Sequence, residues 1–209
     1  FLGSSCIYPV QAVQPMVEDS LLTGPLEATN QWYAIAKITG IKLCQALRKQ
    51  FGANFISAMP TNLYGPHDNY HPTESHVVAA LIRRFHNAKL QNHDDVVIWG
   101  SGKPLREFLY VDDLADGLVH LLKHYNDEQP INIGTGQEVS IQQLAEMLKD
   151  VSGWQGNLVF DSTKPDGSPR KVMRSDRIHA LGWQHKTELR NGLEKAFLWF
   201  DENQRVARL

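Results

Sequence analysis

The alternation of short apolar runs with longer helical stretches is the strongest constraint on what this chain can fold into. Residues 30–50, "NQWYAIAKITGIKLCQALRKQ", carry apolar side chains at 34, 35, 38, 41 and 44, a helical period with Asn30 as its cap. "NFISAM" (54–59) reads as a buried strand and 60–72 as a long polar loop. Ser75 is placed to cap a helix running to about Leu90, "DVVIW" (95–99) is a strand ended by "GSGKP", and "REFLYV" leads into a helix over 112–125. "PINIG", "SIQQLAEMLKDVSG" and "NLVF" then read as strand, helix and strand. A loop over 161–173, a short helix in "SDRIHALGW" and a last helix from Thr187 follow. Such a series predicts an α/β fold with a largely parallel sheet.

In sheets of this kind ligands sit beyond the carboxyl ends of the strands. Phe1-Leu2-Gly3 reads as the end of a strand, so Ser4-Ser5-Cys6 is expected at that rim, as is Pro60-Thr61-Asn62. A doubly wound nucleotide-binding sheet carries a Gly-rich turn after its first strand. "GTGQEVS" (134–140) has glycines at the wrong spacing for that turn and reads as a link between two short strands. The phosphate loop of a dinucleotide site is therefore expected outside these 209 residues, which read as starting partway through a longer protein. By themselves they are expected to bind a dinucleotide weakly.

Composition narrows the partners. The formal net charge of −2 gives no electrostatic case for nucleic acid or an anionic membrane. No apolar run approaches the ~18–20 residues that span a bilayer. Cys6 and Cys44 are far apart and form no CxxC pair, which argues against a disulfide framework or a metal site and suits a reducing, cytoplasmic compartment.

Tyr33 and Lys37 form Y-x-x-x-K on the first helix, and at i and i+4 they share a face. A free phenol titrates near pH ~10, and a nearby ammonium favours its ionised form. By itself this spacing is common in helices and equally suits an exposed Lys beside a half-buried Tyr. Ser4, placed after a strand, can hydrogen-bond the oxygen that Tyr33 protonates.

Ser4, Tyr33, Lys37 and the strand-exit "PTNLYGP" together resemble the extended short-chain dehydrogenase/reductase family. "GSSCIYP", "LLTGPLEATNQWYAIAKITGIKLC", "MPTNLYGPHDNYHP", "SHVVAALIRRFH", "VVIWGSGKPLREFLYVDDLA" and "FDSTKPDGSPRK" are similar to the branch acting on GDP-4-keto-6-deoxy-D-mannose. The resemblance implies a partial Rossmann-like, doubly wound parallel sheet lacking its N-terminal βαβ units, with a smaller α/β substrate lobe. Residues 1–72 and about 107–135 would belong to the NADP-binding domain, and about 73–106 and 136–209 to the lobe.

It further implies an NADP(H)-dependent enzyme that epimerises C3 and C5 of the 4-keto sugar and reduces C4. Cys6 and His76 match the acid/base pair, Tyr33 the proton donor to the C4 oxygen, Ser4 the group orienting that oxygen, and Lys37 the partner of the phenol and the nicotinamide ribose. Ser5, Pro60, Thr61, Asn62, Leu63 and His76 match positions beside the cofactor. Arg84, Trp99, Arg106, Asp166 and Lys171 match positions that contact the GDP-sugar. Arg83 lies about 100° round the helix from Arg84, so at most one of them faces that site. A homodimer through 30–50 and 112–125 is implied as well.

Val10 and Arg174 depart from the branch, where Lys and Asp are common. Related 4,6-dehydratases place Asp-Glu where this chain has Ser5-Cys6, and simple 4-epimerases need no Cys/His pair. A non-catalytic nucleotide-sensing module remains the reading from another class.

Overall fold

The computed structural model describes residues 1–204 and 207. It divides into two compact units, one built from 1–63, 107–137 and 171–186, the other from 64–106, 138–170 and 187–209. Residues 64–72 thus belong to the second unit and 171–186 to the first, against the boundaries expected from sequence. The tail segment joins the first unit for a physical reason. Met173 bridges Met16 in parallel, and Ile178 and Trp183 are buried in that unit's core.

In the first unit, β1 (Ala58–Pro60) pairs in parallel with β6 (Ile131–Ile133). Phe1–Gly3 runs parallel along the other edge of β1: Gly3 N–H donates to Ala58 O at 2.8 Å, and Ala58 N–H to Phe1 O at 3.0 Å. Of the apolar positions its period picks out, the helix α1 (Gln31–Phe51) buries Ala34, Ile38 and Ile41, half-buries Cys44 and leaves Ile35 exposed, and it ends at Gly52 in the left-handed region. Gly40 lets α1 approach closely, since a Cβ there would meet the Phe1 ring. The helix α3 (Val111–His124), following β5 (Phe108–Tyr110), buries Leu114 and Leu121 against Ile131, Ile133 and Trp183. A short helix, α5 (Asp176–Ala180), adds Ile178 to the same cluster.

In the second unit, α2 (Val77–Gln91), α4 (Ile141–Ser152) and α6 (Leu189–Asn203) pack together. Beside them β3 (Asp95–Trp99) and β8 (Asn157–Asp161) pair in parallel along five residues. β4 (Leu105–Arg106) pairs antiparallel with β7 (Val139–Ser140). Ser140 forms a capping box with Gln143, and Gly153 closes α4.

Four expectations need correction. The strand expected over 54–59 begins only at Ala58, because its partner β6 supplies three residues of pairing. The stretch 60–72 is no simple polar loop: it holds β2 (Asn62–Tyr64), and Thr61, Tyr64 and Tyr70 are buried. The stretch 161–173 holds β9 (Arg170–Lys171). His76, not Ser75, is the N-cap residue of α2, and Ser75 Oγ is buried without a hydrogen-bond partner.

The least exposed charged side chain of the first unit is Glu107, with no solvent exposure. Its carboxylate accepts from Gly136 N–H at 2.8 Å and Met173 N–H at 2.9 Å. Burial pushes the carboxyl up from its ordinary range, while those backbone donors pull the other way. Glu107→Ala would strand the buried Met173 N–H, at a cost of ~1–3 kcal/mol, whereas the Gly136 N–H is near enough to the surface to find water. Thermal or urea unfolding is therefore expected to show a loss of about 1–3 kcal/mol, and an unchanged stability would mean that water replaces the carboxylate.

Candidate active site

The first unit gathers most of the sequence-predicted residues at strand ends. Beyond Gly3 the chain turns into a 3-10 turn, Ser5–Ile7, capped by Ser4, whose Oγ accepts from Cys6 N–H at 3.2 Å. The turn is held from behind by Ile7, fully buried with Ile38, Ile41, Met59 and Met173. α1 packs against this turn. One turn apart on that helix, Lys37 Nζ lies 5.6 Å from the Tyr33 ring centroid and donates to Leu2 O at 3.0 Å. Tyr33 is 47% exposed.

Cys6 is half-buried, and its Sγ lies 3.1 Å from Lys171 Nζ. Burial alone pushes the thiol up, but the Lys171 ammonium, with hydrogen bonds from Lys171, Ser4 and Asn30, outweighs it and holds Cys6 below the ordinary thiol range. The resemblance puts Lys171 with the sugar nucleotide; here its ammonium stands on the thiol. Ser5 is buried in the turn. Pro60 ends β1, and Thr61 donates its N–H to Ile133 O at 3.1 Å, fixing the chain where it leaves the strand. Asn62 Nδ2 donates to Glu107 O at 2.8 Å, and Leu63 packs on the core cluster around Ile131 and Ile133.

The second unit carries the remaining candidates. The Arg84 guanidinium lies 4.7 Å over the Trp99 ring, and Lys164 Nζ lies 5.8 Å from the same ring. Trp99 is 51% exposed, so one aromatic platform carries two cations at a solvent-facing position. Arg83 instead donates to Tyr70 O at 2.9 Å and serves the fold. A cleft of about 190 Å³ beside this platform is lined by Pro72, Ser75, Ala80, Leu81, Arg84 and Trp99. Arg106 is half-buried and donates to Leu105 O at 2.8 Å. Burial lowers its guanidinium from the ordinary range, opposed by the Asp166 carboxylate. Asp166 accepts from Ser101 N–H at 2.6 Å and Ser101 Oγ at 2.8 Å, and these bonds hold it below the usual carboxylate range. His76, exposed at the head of α2, helps to lower the Asp68 carboxyl, though burial prevails there and leaves it raised.

Sequence reasoning missed two features: Lys164 on the Trp99 platform and Asn30 as a hydrogen-bond partner of the Cys6 thiol. Neither contact has a local signal, since each is made between elements far apart in the chain. No group of three or more His, Cys, Asp or Glu side chains suited to a metal ion occurs among the described residues. None of their helices is long and apolar enough to cross a membrane.

The model of the NAD dependent epimerase/dehydratase family matches residues 1–134. The chain is 60% identical over 203 residues to the probable GDP-L-fucose synthase 1 of Oryza sativa subsp. japonica, covering 97% of this chain and 62% of that protein. It is 54% identical over 213 residues to the GDP-L-fucose synthase of Escherichia coli K12, covering 98% of this chain and 66% of that one. Among solved structures it is similar to a GDP-L-fucose synthetase from Naegleria fowleri bound to NADP, with TM-score 0.93, 35% identity and coverage of 100% of this chain and 67% of that one. The chain thus spans 62% and 66% of the length of these two curated relatives.

Proposed function

The chain belongs to the NAD dependent epimerase/dehydratase family, and we propose that it carries the catalytic groups that convert GDP-4-keto-6-deoxy-D-mannose to GDP-L-fucose. The observation that carries this reading is a cation-paired thiol, Cys6, on the strand-exit turn against which the Y-x-x-x-K helix packs. A ketone at C4 acidifies the protons on C3 and C5, so inversion there needs a base of modest strength. A thiolate near neutral pH is such a base. Cys6 takes the role of removing those protons, and His76 the role of returning one.

Reduction at C4 needs a proton for the nascent alkoxide, and the Tyr33 phenol supplies it, with Ser4 Oγ orienting the oxygen. The donor set suits a nicotinamide ribose: the Lys37 ammonium spends one donor on Leu2 O and has others to offer, and the phenol beside it both donates and accepts. When bound, NADPH would supply the hydride. We assign the cofactor-facing residues Ser5, Pro60, Thr61, Asn62 and Leu63 to the first unit's strand ends. The GDP moiety falls to the second unit, where the Trp99 platform suits a purine face and Arg84, Arg106 and Lys164 suit a diphosphate. Lys171, with its ammonium on Cys6, is a cation at the sugar end. The exposed apolar side chains of α1 and α3, Trp32 and Leu122 among them, are assigned to a homodimer face.

The test is a product analysis. The intact protein, given GDP-4-keto-6-deoxy-D-mannose and NADPH in D₂O, is expected to yield GDP-L-fucose with deuterium at C3 and C5. A product reduced at C4 but free of deuterium would leave a simple ketoreductase, and no NADPH consumption would remove the assignment altogether.

A further inference from the structure

We propose that Lys171 is a positioning residue for Cys6: its ammonium, 3.1 Å from Sγ, is the counter-ion that keeps the sulfur ionised and aimed. This rests on the reading of Cys6 as the proton-abstracting group, but it says something that reading does not require. A thiol can abstract protons with solvent or substrate as its only electrostatic help. Here the help is built into the chain.

Lys171 leaves β9 from a segment pinned on both sides of the following residues. Val172 N–H donates to Gln14 Oε1 at 3.0 Å, Met16 N–H donates to Val172 O at 2.9 Å, and Met173 N–H donates to Glu107 at 2.9 Å. Val172 and Met173 are buried. The lysine stem therefore starts from a fixed point, and the ammonium needs few rotamers to reach the thiol. Replacing that side chain leaves these backbone bonds in place.

The charges and donors around the thiol point the same way. Cys6 sees the Lys171 ammonium and the polar groups of Ser4 and Asn30, and burial opposes its ionisation. Lys171 in turn feels the Glu27 carboxylate, which accepts from Thr29 through both oxygens. The Glu27 oxygens take their hydrogen bonds from Thr29, while the Lys171 ammonium makes its hydrogen bond to the sulfur. With the ammonium gone, burial is left opposed only by hydrogen bonds from Ser4 and Asn30. The thiol then moves up.

The measurement is the pH profile of alkylation of the intact protein by iodoacetamide, with peptide mass spectrometry separating Cys6 from Cys44. Wild type is expected to show a Cys6 midpoint below the ordinary thiol range. Lys171→Gln is expected to raise that midpoint by a unit or more and to slow Cys6 alkylation at pH 7 roughly tenfold, since one unit is tenfold in thiolate below the midpoint. Cys44, half-buried on α1, is expected to react unchanged and gauges the fold. Lys171→Arg keeps the charge and is expected to restore most of the wild-type profile, which a merely structural role for the lysine stem would not predict. An unshifted midpoint in Lys171→Gln, or an Arg variant indistinguishable from the Gln variant, would overturn the proposal. Because alkylation reads the thiolate without substrate or cofactor, its failure leaves the deuterium assay standing, and failure of that assay leaves the ion pair standing.

Discussion

Cys6→Ser is expected to slow deuterium uptake at C3 and C5 of GDP-4-keto-6-deoxy-D-mannose, in D₂O without NADPH, by about 10²–10⁴-fold. The intact wild-type protein should exchange at both carbons under these conditions, because enolisation needs no hydride. The serine hydroxyl fits the same turn and keeps the contacts of Ser5 and Ile7. It does not ionise near neutral pH, whatever cation stands beside it, so the loss isolates the proton transfer from the fold. His76→Asn in the same assay should leave product that is unepimerised or epimerised at one carbon. If Cys6→Ser exchanged at the wild-type rate, the base would have to be sought elsewhere, and the paired thiol would be an ornament of the turn.

Tyr33→Phe is expected to reduce NADPH oxidation by about 10²–10⁴-fold while leaving the exchange at C3 and C5 largely intact. The two effects separate because they draw on different atoms. Removing the phenolic oxygen deprives the C4 alkoxide of its proton donor and leaves Cys6, Ser4 and Lys171 untouched. The ring remains to cover the same part of α1, and Lys37 stays anchored on the Leu2 carbonyl. Near-normal NADPH oxidation would make the tyrosine structural, and parallel loss of exchange and oxidation would mean that the variant damages substrate binding rather than protonation.

What the sequence made legible is what short-range physics determines. The face of α1 buried at Ala34, Ile38 and Ile41 follows from its period. β3 is a strand where its apolar run suggests one, and α4 is bounded by a capping box and a glycine that are both written in its sequence. The errors occur where partners are distant. β1 is trimmed by the three residues that β6 offers it. Ser75 has the chemistry of a cap, yet its oxygen is buried and the chain enters α2 at His76. Lys171 is 165 residues from Cys6, and no spacing rule links them. Glu107 reads as one letter of "LREF" until the turn at Gly136 and the segment at Met173 are folded against it.

The Glu107 carboxylate also imposes an order in time. Its two backbone donors come from residues 136 and 173, so when Glu107 is made neither partner exists. The first unit is likewise interleaved with the second, its stretches 1–63, 107–137 and 171–186 separated by intervening chain. Closing loops of this length costs entropy before the contacts repay it, and topologies rich in distant contacts fold slowly. During synthesis the strand-exit turn that carries Cys6 therefore waits, with the thiol lacking its cation, until residues 171–173 have emerged. The turn that carries Cys6 is made well before the residues that complete it.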